Sequence, residues 1–255
     1  MRAIRRTVCL LLVLVCPGLS SFCALEQAPR ATTRPPLVLW AWERPEDLRF
    51  IDPARVGVAF LARTIRLAGA RVSIAPRVQS LDTPKGTWLV AVARIKSDQD
   101  RAPLLNDSQR HAVADALVKM AELPGLAGIQ IDFDAVASER PFYAAVVKEV
   151  RERMPASRLL SITALAGWCW FDDWIRDLPV DEAVPMLFRM GPESAGILRR
   201  IQQGEEFPVT RCQECLGIST DEMIARVPRG KRIYVFHPRS WTPDALAAFS
   251  KEIDK

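Results

Sequence analysis

A chain of 255 residues with 49% hydrophobic composition can bury a substantial core, which excludes a disordered segment and leaves one large domain or two small ones. The formal charge of +5 falls to +2 without the leader arginines Arg2, Arg5 and Arg6, and the other basic residues are interspersed with acids. That balance excludes a nucleic-acid-binding surface.

The three arginines precede an apolar run over residues 8–15 that is too short for a dedicated membrane span, and the pattern reads as a secretory signal. Gly18, Ser20, Ser21 and Ala24 offer cleavage points. The expected division is a signal peptide at 1–24, a Pro-rich linker at 25–36 and a folded domain at 37–255. Export to the periplasm or the extracellular space follows. Membrane attachment is offered only by an uncleaved leader or by a lipid anchor at Cys23. Cys9, Cys16 and Cys23 belong to the leader, leaving Cys169, Cys212 and Cys215 for the domain.

Residues 37–42 form a short apolar strand stopped by Pro45, and residues 56–61 form a second. Ile65, Leu67, Val72 and Ile74 alternate on either side of Gly69, which predicts a β-hairpin inserted beside that second strand. A third strand spans 88–92. After Asn106, an N-cap with Gln109 three residues on, Val113, Ala116, Leu117 and Met120 mark one helical stripe. Residues 128–134 are the fourth strand. Phe142, Val146, Val150 and Met154 then give a helix that ends before Pro155. Further strands are read at 159–165, 184–188, 216–220 and 232–236, with helices at 173–178, 193–202 and 243–253, the last capped by Thr242. Eight strands in a chain of this length predict an α/β fold, a (β/α)8 TIM barrel with a hairpin near the second strand. A doubly wound open sheet is the alternative, without a glycine fingerprint to support its dinucleotide version.

The fourth strand carries the chemistry. Ile129, Ile131 and Phe133 alternate with Gln130, Asp132 and Asp134, so one face is apolar and the other acidic. Parallel strands are normally apolar on both faces, and a buried carboxylate needs a partner or a purpose. Two acids on one face repel, which raises the pKa of one and leaves an acid beside a base, as glycosidic cleavage requires. The structural alternative is a hydrogen-bonded network with Ser161, Thr163 or Arg189. Active sites of barrels lie at the carboxyl ends of the strands. There the third strand finishes on Arg94, and the chain places Trp42 and Glu43, Trp168, Arg189, Asp221 and Glu222, and His237 as substrate-binding candidates, with Gln130 beside the acids. Sugar rings stack on aromatic faces, and of Trp40, Trp42, Trp168, Trp170 and Trp241 two are expected to line a cleft.

The run from Leu126 to Asp134 resembles the fourth-strand signature of family-18 glycoside hydrolases, D-G-x-D-x-D-x-E. Gly128 and Asp132 match, Ala127 and Gln130 replace the first two acids, and Asp134 stands where the proton-donating Glu would be. The resemblance implies that Asp132 orients the acetamido group of the substrate as nucleophile. The strings G-I-Q-I-D-F-D-A, L-S-I-T-A-L-A, V-P-M-L-F-R-M-G and L-G-I-S-T-D-E resemble the bacterial domain of unknown function 3142, which implies an exported barrel and names no substrate. The expected function is glycan hydrolysis by Asp132 and Asp134, with a non-catalytic glycan-binding barrel as the alternative. Carbohydrate is the expected partner.

Cys169 follows the fifth strand, and Cys212 precedes the seventh. A bridge between Cys169 and Cys212 is expected if the intervening loop folds back. A local Cys212–Cys215 pair and three reduced thiols are the alternatives. His111 and His237 are the only histidines, so neither a metal site nor a cofactor is expected.

Overall fold

The computed structural model describes residues 34–172 and 174–253, so the expected leader and most of the linker lie outside the described residues. Eight parallel strands close into a ring: β1 (Leu37–Ala41), β2 (Val56–Ala68), β3 (Leu89–Ser97), β4 (Gly128–Asp132), β5 (Leu159–Leu165), β6 (Glu182–Met186), β7 (Cys215–Ser219) and β8 (Arg232–Phe236). Each pairs with its neighbour in sequence, and β1 joins both β2 and β8, which closes the (β/α)8 barrel. Alternation sorts the side chains into two cores. Val38, Val90, Val92 and Tyr234 fill the barrel, while Leu39, Ile129 and Ile131 face outward against Leu117 and Val146 of the surrounding helices.

Among the described residues four α-helices jacket the ring: α1 (Asp107–Ala121), α2 (Arg140–Arg153), α3 (Ser194–Gln202) and α4 (Pro243–Ile253). Asn106 Oδ1 accepts from the Gln109 amide at 3.0 Å and Gln109 Oε1 accepts from the Leu105 amide at 2.7 Å, a reciprocal cap that fixes the start of α1. Gln109 Nε2 also donates to the Gly69 and Arg71 carbonyls, which ties α1 to the hairpin. Thr242 caps α4 through the Ala245 amide.

The hairpin is continuous with β2, which runs on to Ala68 and pairs antiparallel with Arg71–Pro76. A bulge between Leu61 and Arg63 marks the passage from barrel to extension. The connections after β1 and β7 carry no α-helix. Where a helix was expected over 173–178, a π-helical segment at Trp168–Asp172 precedes turns over 174–177. Cys169 in that segment is bonded to Cys212, with 6.1 Å between their α-carbons, and Ile175 and Leu178 reach the core from the turns.

The amino-terminal end of the barrel is closed by the chain's own first described residues. Pro36 O accepts from the Ile233 amide at 2.8 Å, Pro35 O accepts from Arg232 Nε at 3.2 Å, and Arg34 lies 3.5 Å from the buried Glu182. Glu182 also accepts from Arg232 at 2.8 Å and from the Tyr234 hydroxyl at 2.5 Å, so its buried charge is compensated. At the same level Gly128 lets β4 approach β5, because a Cβ there would stand 2.2 Å from the Leu159 carbonyl oxygen. Gly128→Ala is therefore expected to destabilise the protein by about 3 kcal/mol, at the upper end of ordinary overpacking, read as a lower urea midpoint at unchanged slope.

Candidate functional site

The site is set by the parity of β4. Its inward positions are Gln130 and Asp132, and Asp134 continues that side just past the strand. Asp132 is 9% exposed, and its Oδ1 accepts from Thr163 Oγ1 on β5 at 2.8 Å. On the other side Arg94, its register partner on β3, brings Nε to 3.6 Å from Oδ2. Burial pushes the Asp132 carboxyl up to about 6, the neighbouring Asp134 charge adds to the rise, and Thr163 and Arg94 pull against it. Asp134 is exposed as a residue, yet desolvation of its carboxyl raises that pKa too, opposed by Arg94. Two carboxyls with upward-shifted pKa values thus share one cation at the barrel mouth.

Around them lies a cavity of about 350 Å³ at the carboxyl ends of the strands. Trp40 and Trp42 of β1 and its loop, Phe188 after β6 and Phe236 of β8 form its aromatic wall. Phe188 stacks on Phe236 at 6.0 Å, and the Trp40 ring meets Phe188 edge-on at 6.2 Å. Gly217 makes room for Trp40, since a Cβ there would fall 2.8 Å from the indole. Arg94 lies over Trp42 at 5.7 Å and Arg189 over Phe236 at 5.2 Å, so cations border the aromatic wall on both sides. Arg189 has φ of 51°, in the left-handed region. Its amide donates to Glu222 Oε2 at 2.8 Å, which holds that turn. The loop carrying Trp42 and Glu43 is held by Arg77, which donates to the Trp42 carbonyl, to Arg44 O at 2.5 Å and to Gln79 O at 2.9 Å.

Of the sequence candidates, Trp42, Glu43, Asp132, Asp134 and Arg189 meet in this cavity. Gln130 does not line it. It lies fully buried beneath, where Oε1 accepts from Trp40 Nε1 at 2.8 Å and Nε2 donates to Ser161 Oγ at 3.0 Å. Both ends of its amide are committed to the floor. Trp168 is 4% exposed and packs edge-on against Trp174 at 5.0 Å, outside the cleft, because the segment bearing Cys169 turns it into the outer core. Asp221 and His237 line a different cavity, between the β7 and β8 loops and α4, with His237 Nδ1 2.6 Å from Thr220 Oγ1. Glu222 is exposed and serves the Arg189 turn. Phe188, Phe236, Leu165 and Met186 of the cavity wall are absent from the sequence candidates. Counting by twos along each strand from its buried start would have found Leu165, Met186 and Phe236.

The raised value of Asp132 has a consequence for folding. The folded protein holds this proton more tightly than the ordinary value of 3.8, so the stabilisation is full below that pH and is lost as pH rises through about 6. Asp132→Asn is expected to raise the melting temperature at pH 8, by about 1–3 kcal/mol of stability, and to change it little at pH 4. Thermal melts at the two pH values check this, and an equal shift at both would contradict it.

No protein-family model matches the chain. No curated protein sequence matches it either. Among solved structures, the fold is similar to a Streptomyces coelicolor protein assigned as chitinase A, with a TM-score of 0.55 and 9% identity over 85% of this chain and 96% of that one. It is also similar to a family GH18 chitinase from Chromobacterium violaceum, with a TM-score of 0.51 and 12% identity over 79% of this chain and 78% of that one. At such identities the likeness is one of architecture, and the chain shares the (β/α)8 barrel of these chitinase-like proteins.

Proposed function

We propose that the protein is an exported glycoside hydrolase, with Asp134 as proton donor and Asp132 as the stabilising or orienting carboxylate. The observation that carries this reading is the pair of desolvated carboxyls beside an aromatic wall at the barrel mouth. A raised pKa keeps a carboxyl protonated for delivery to the leaving oxygen, and the second group supports the cationic centre that develops. Trp42 offers a ring face to a sugar, while Glu43 and Arg189 offer hydrogen bonds at its rim. The chitinase-like fold favours a glycan of N-acetylated amino sugars, consistent with a distant family-18 relationship. The leader and the Cys169–Cys212 bond favour export to an oxidising compartment.

The short side chain of Asp134 favours a second reading, a glycan-binding barrel without hydrolysis, since one methylene fewer draws the proton back from the leaving oxygen. A polysaccharide panel scored in parallel for binding and for released reducing ends separates the two. Release supports the hydrolase, and binding without release supports the binding barrel. Neither binding nor release overturns both.

A further inference from the structure

The acids border a second cavity besides the aromatic one. A polar cavity of about 880 Å³ opens beside it, and Arg94, Asp132 and Asp134 line both. Its wall is the sheet extension described above. Arg94 is in register with Asp132, the last residue of β4, so β3 continues for Ile95, Lys96 and Ser97 beyond it, roughly 10 Å at the rise of a strand. There it remains paired to β2 through Leu67. Arg66 and Lys96 thereby stand along the cavity, with Asp98 and Asp100 facing the same space. Glu139, which accepts from Ser97 Oγ and from the Val136 amide at 2.9 Å, fixes the opposite edge.

A pocket that ended behind the acids would admit only the end of a chain. Here each cavity has a volume of the size that holds a small-molecule ligand, and both acids line the two of them. Their linings are chemically distinct. One is aromatic, suited to the C–H faces of sugar rings, and the other mixes cations with acids, which suits hydroxyl and amide groups and presents no single-sign field to a polyanion.

We propose that the two cavities are arms of one cleft, and that a linear, neutral polysaccharide crosses Asp132 and Asp134 from one arm into the other and is cut at internal linkages. This rests on the hydrolase reading. In the step, the glycosidic C–O bond breaks as the Asp134 proton passes to the leaving oxygen. Water supplies the hydroxyl that ends on the anomeric carbon, and its remaining proton restores the carboxylic acid.

The test is the product pattern of the wild-type protein on glycol chitin and on a neutral soluble glucan. Measurements are chain length by size-exclusion chromatography and released ends by reducing-sugar assay. Expected is an early collapse of chain length with oligosaccharides of mixed size. Release of mono- or disaccharide alone, with the long chains preserved, overturns the inference and leaves the hydrolase reading standing. If a polymer binds without being cut, affinity is measured for chito-oligosaccharides of two to six units. A steady rise supports occupation of both arms, and a plateau at two units overturns it. Absence of both binding and cleavage overturns the hydrolase reading and this inference with it. Among variants, Lys96→Ala is expected to raise KM for the six-unit oligosaccharide about tenfold, the size of one lost charged hydrogen bond.

Discussion

Asp134→Asn is expected to lower glycan cleavage by about 100- to 10,000-fold, the usual contribution of a positioned general acid, while the protein stays folded. Asparagine preserves the shape of the side chain and removes the transferable proton. Asp134 is exposed as a residue, just past the end of β4, and desolvation of its carboxyl already disfavours its charge. The melting temperature should therefore stay level or rise slightly. A reducing-end assay beside a thermal melt of the same preparation checks both halves. Unchanged cleavage would remove Asp134 from the mechanism, and collapse of the fold would make the acidic pair structural.

The largest expected effect on stability comes from the Cys169–Cys212 bond. It joins positions 43 residues apart and ties the segment after β5 to the turn that leads into β7. On the chain-entropy account, releasing a loop of that length costs about 4 kcal/mol, or about 8–16 °C in melting temperature for a domain of this size. Cys169→Ala with Cys212→Ala should show that loss. Reductant should produce a comparable drop in the wild type and none in the double variant. A drop equal in both would assign the effect to something other than this bond. Cys215, buried with its thiol donating to the Ala183 carbonyl at 3.3 Å, is not available as a substitute partner without repacking the barrel interior.

The barrel was legible in the sequence because each strand is a short apolar run between turn residues, and the run of Ile129, Ile131 and Phe133 told which side of β4 faces the helices. Strand length was less legible. Arg63, Arg66 and Lys96 interrupt the apolar pattern, yet β2 and β3 continue through them because they pair with each other and the hairpin beyond the barrel's rim. The cleft was legible where parity applies. Asp132 and Trp42 continue the inward positions of their strands, while His237 follows the inward Phe236 by one residue and so turns toward α4. Trp168 lies beyond the end of β5, where alternation no longer governs direction and the disulfide does. Gln130 is inward as the pattern requires, but depth along the barrel axis, which periodicity does not encode, commits it to Trp40 and Ser161.

The plug formed by Arg34, Pro35 and Pro36 also fixes an orientation. These residues bond to the starts of β6 and β8, and the acids lie at the opposite ends of the strands. A protein coupled to a bead or a sensor chip at residue 34 itself thus has its point of attachment on one pole of the barrel and its cleft on the other. Immobilisation through residue 34 leaves the mouth facing the bulk, whereas coupling through lysines such as Lys96 would block it. The same polarity separates two kinds of change: substitutions around Glu182 act on how the chain is anchored to its barrel, and those around Asp132 act on what the barrel can hold.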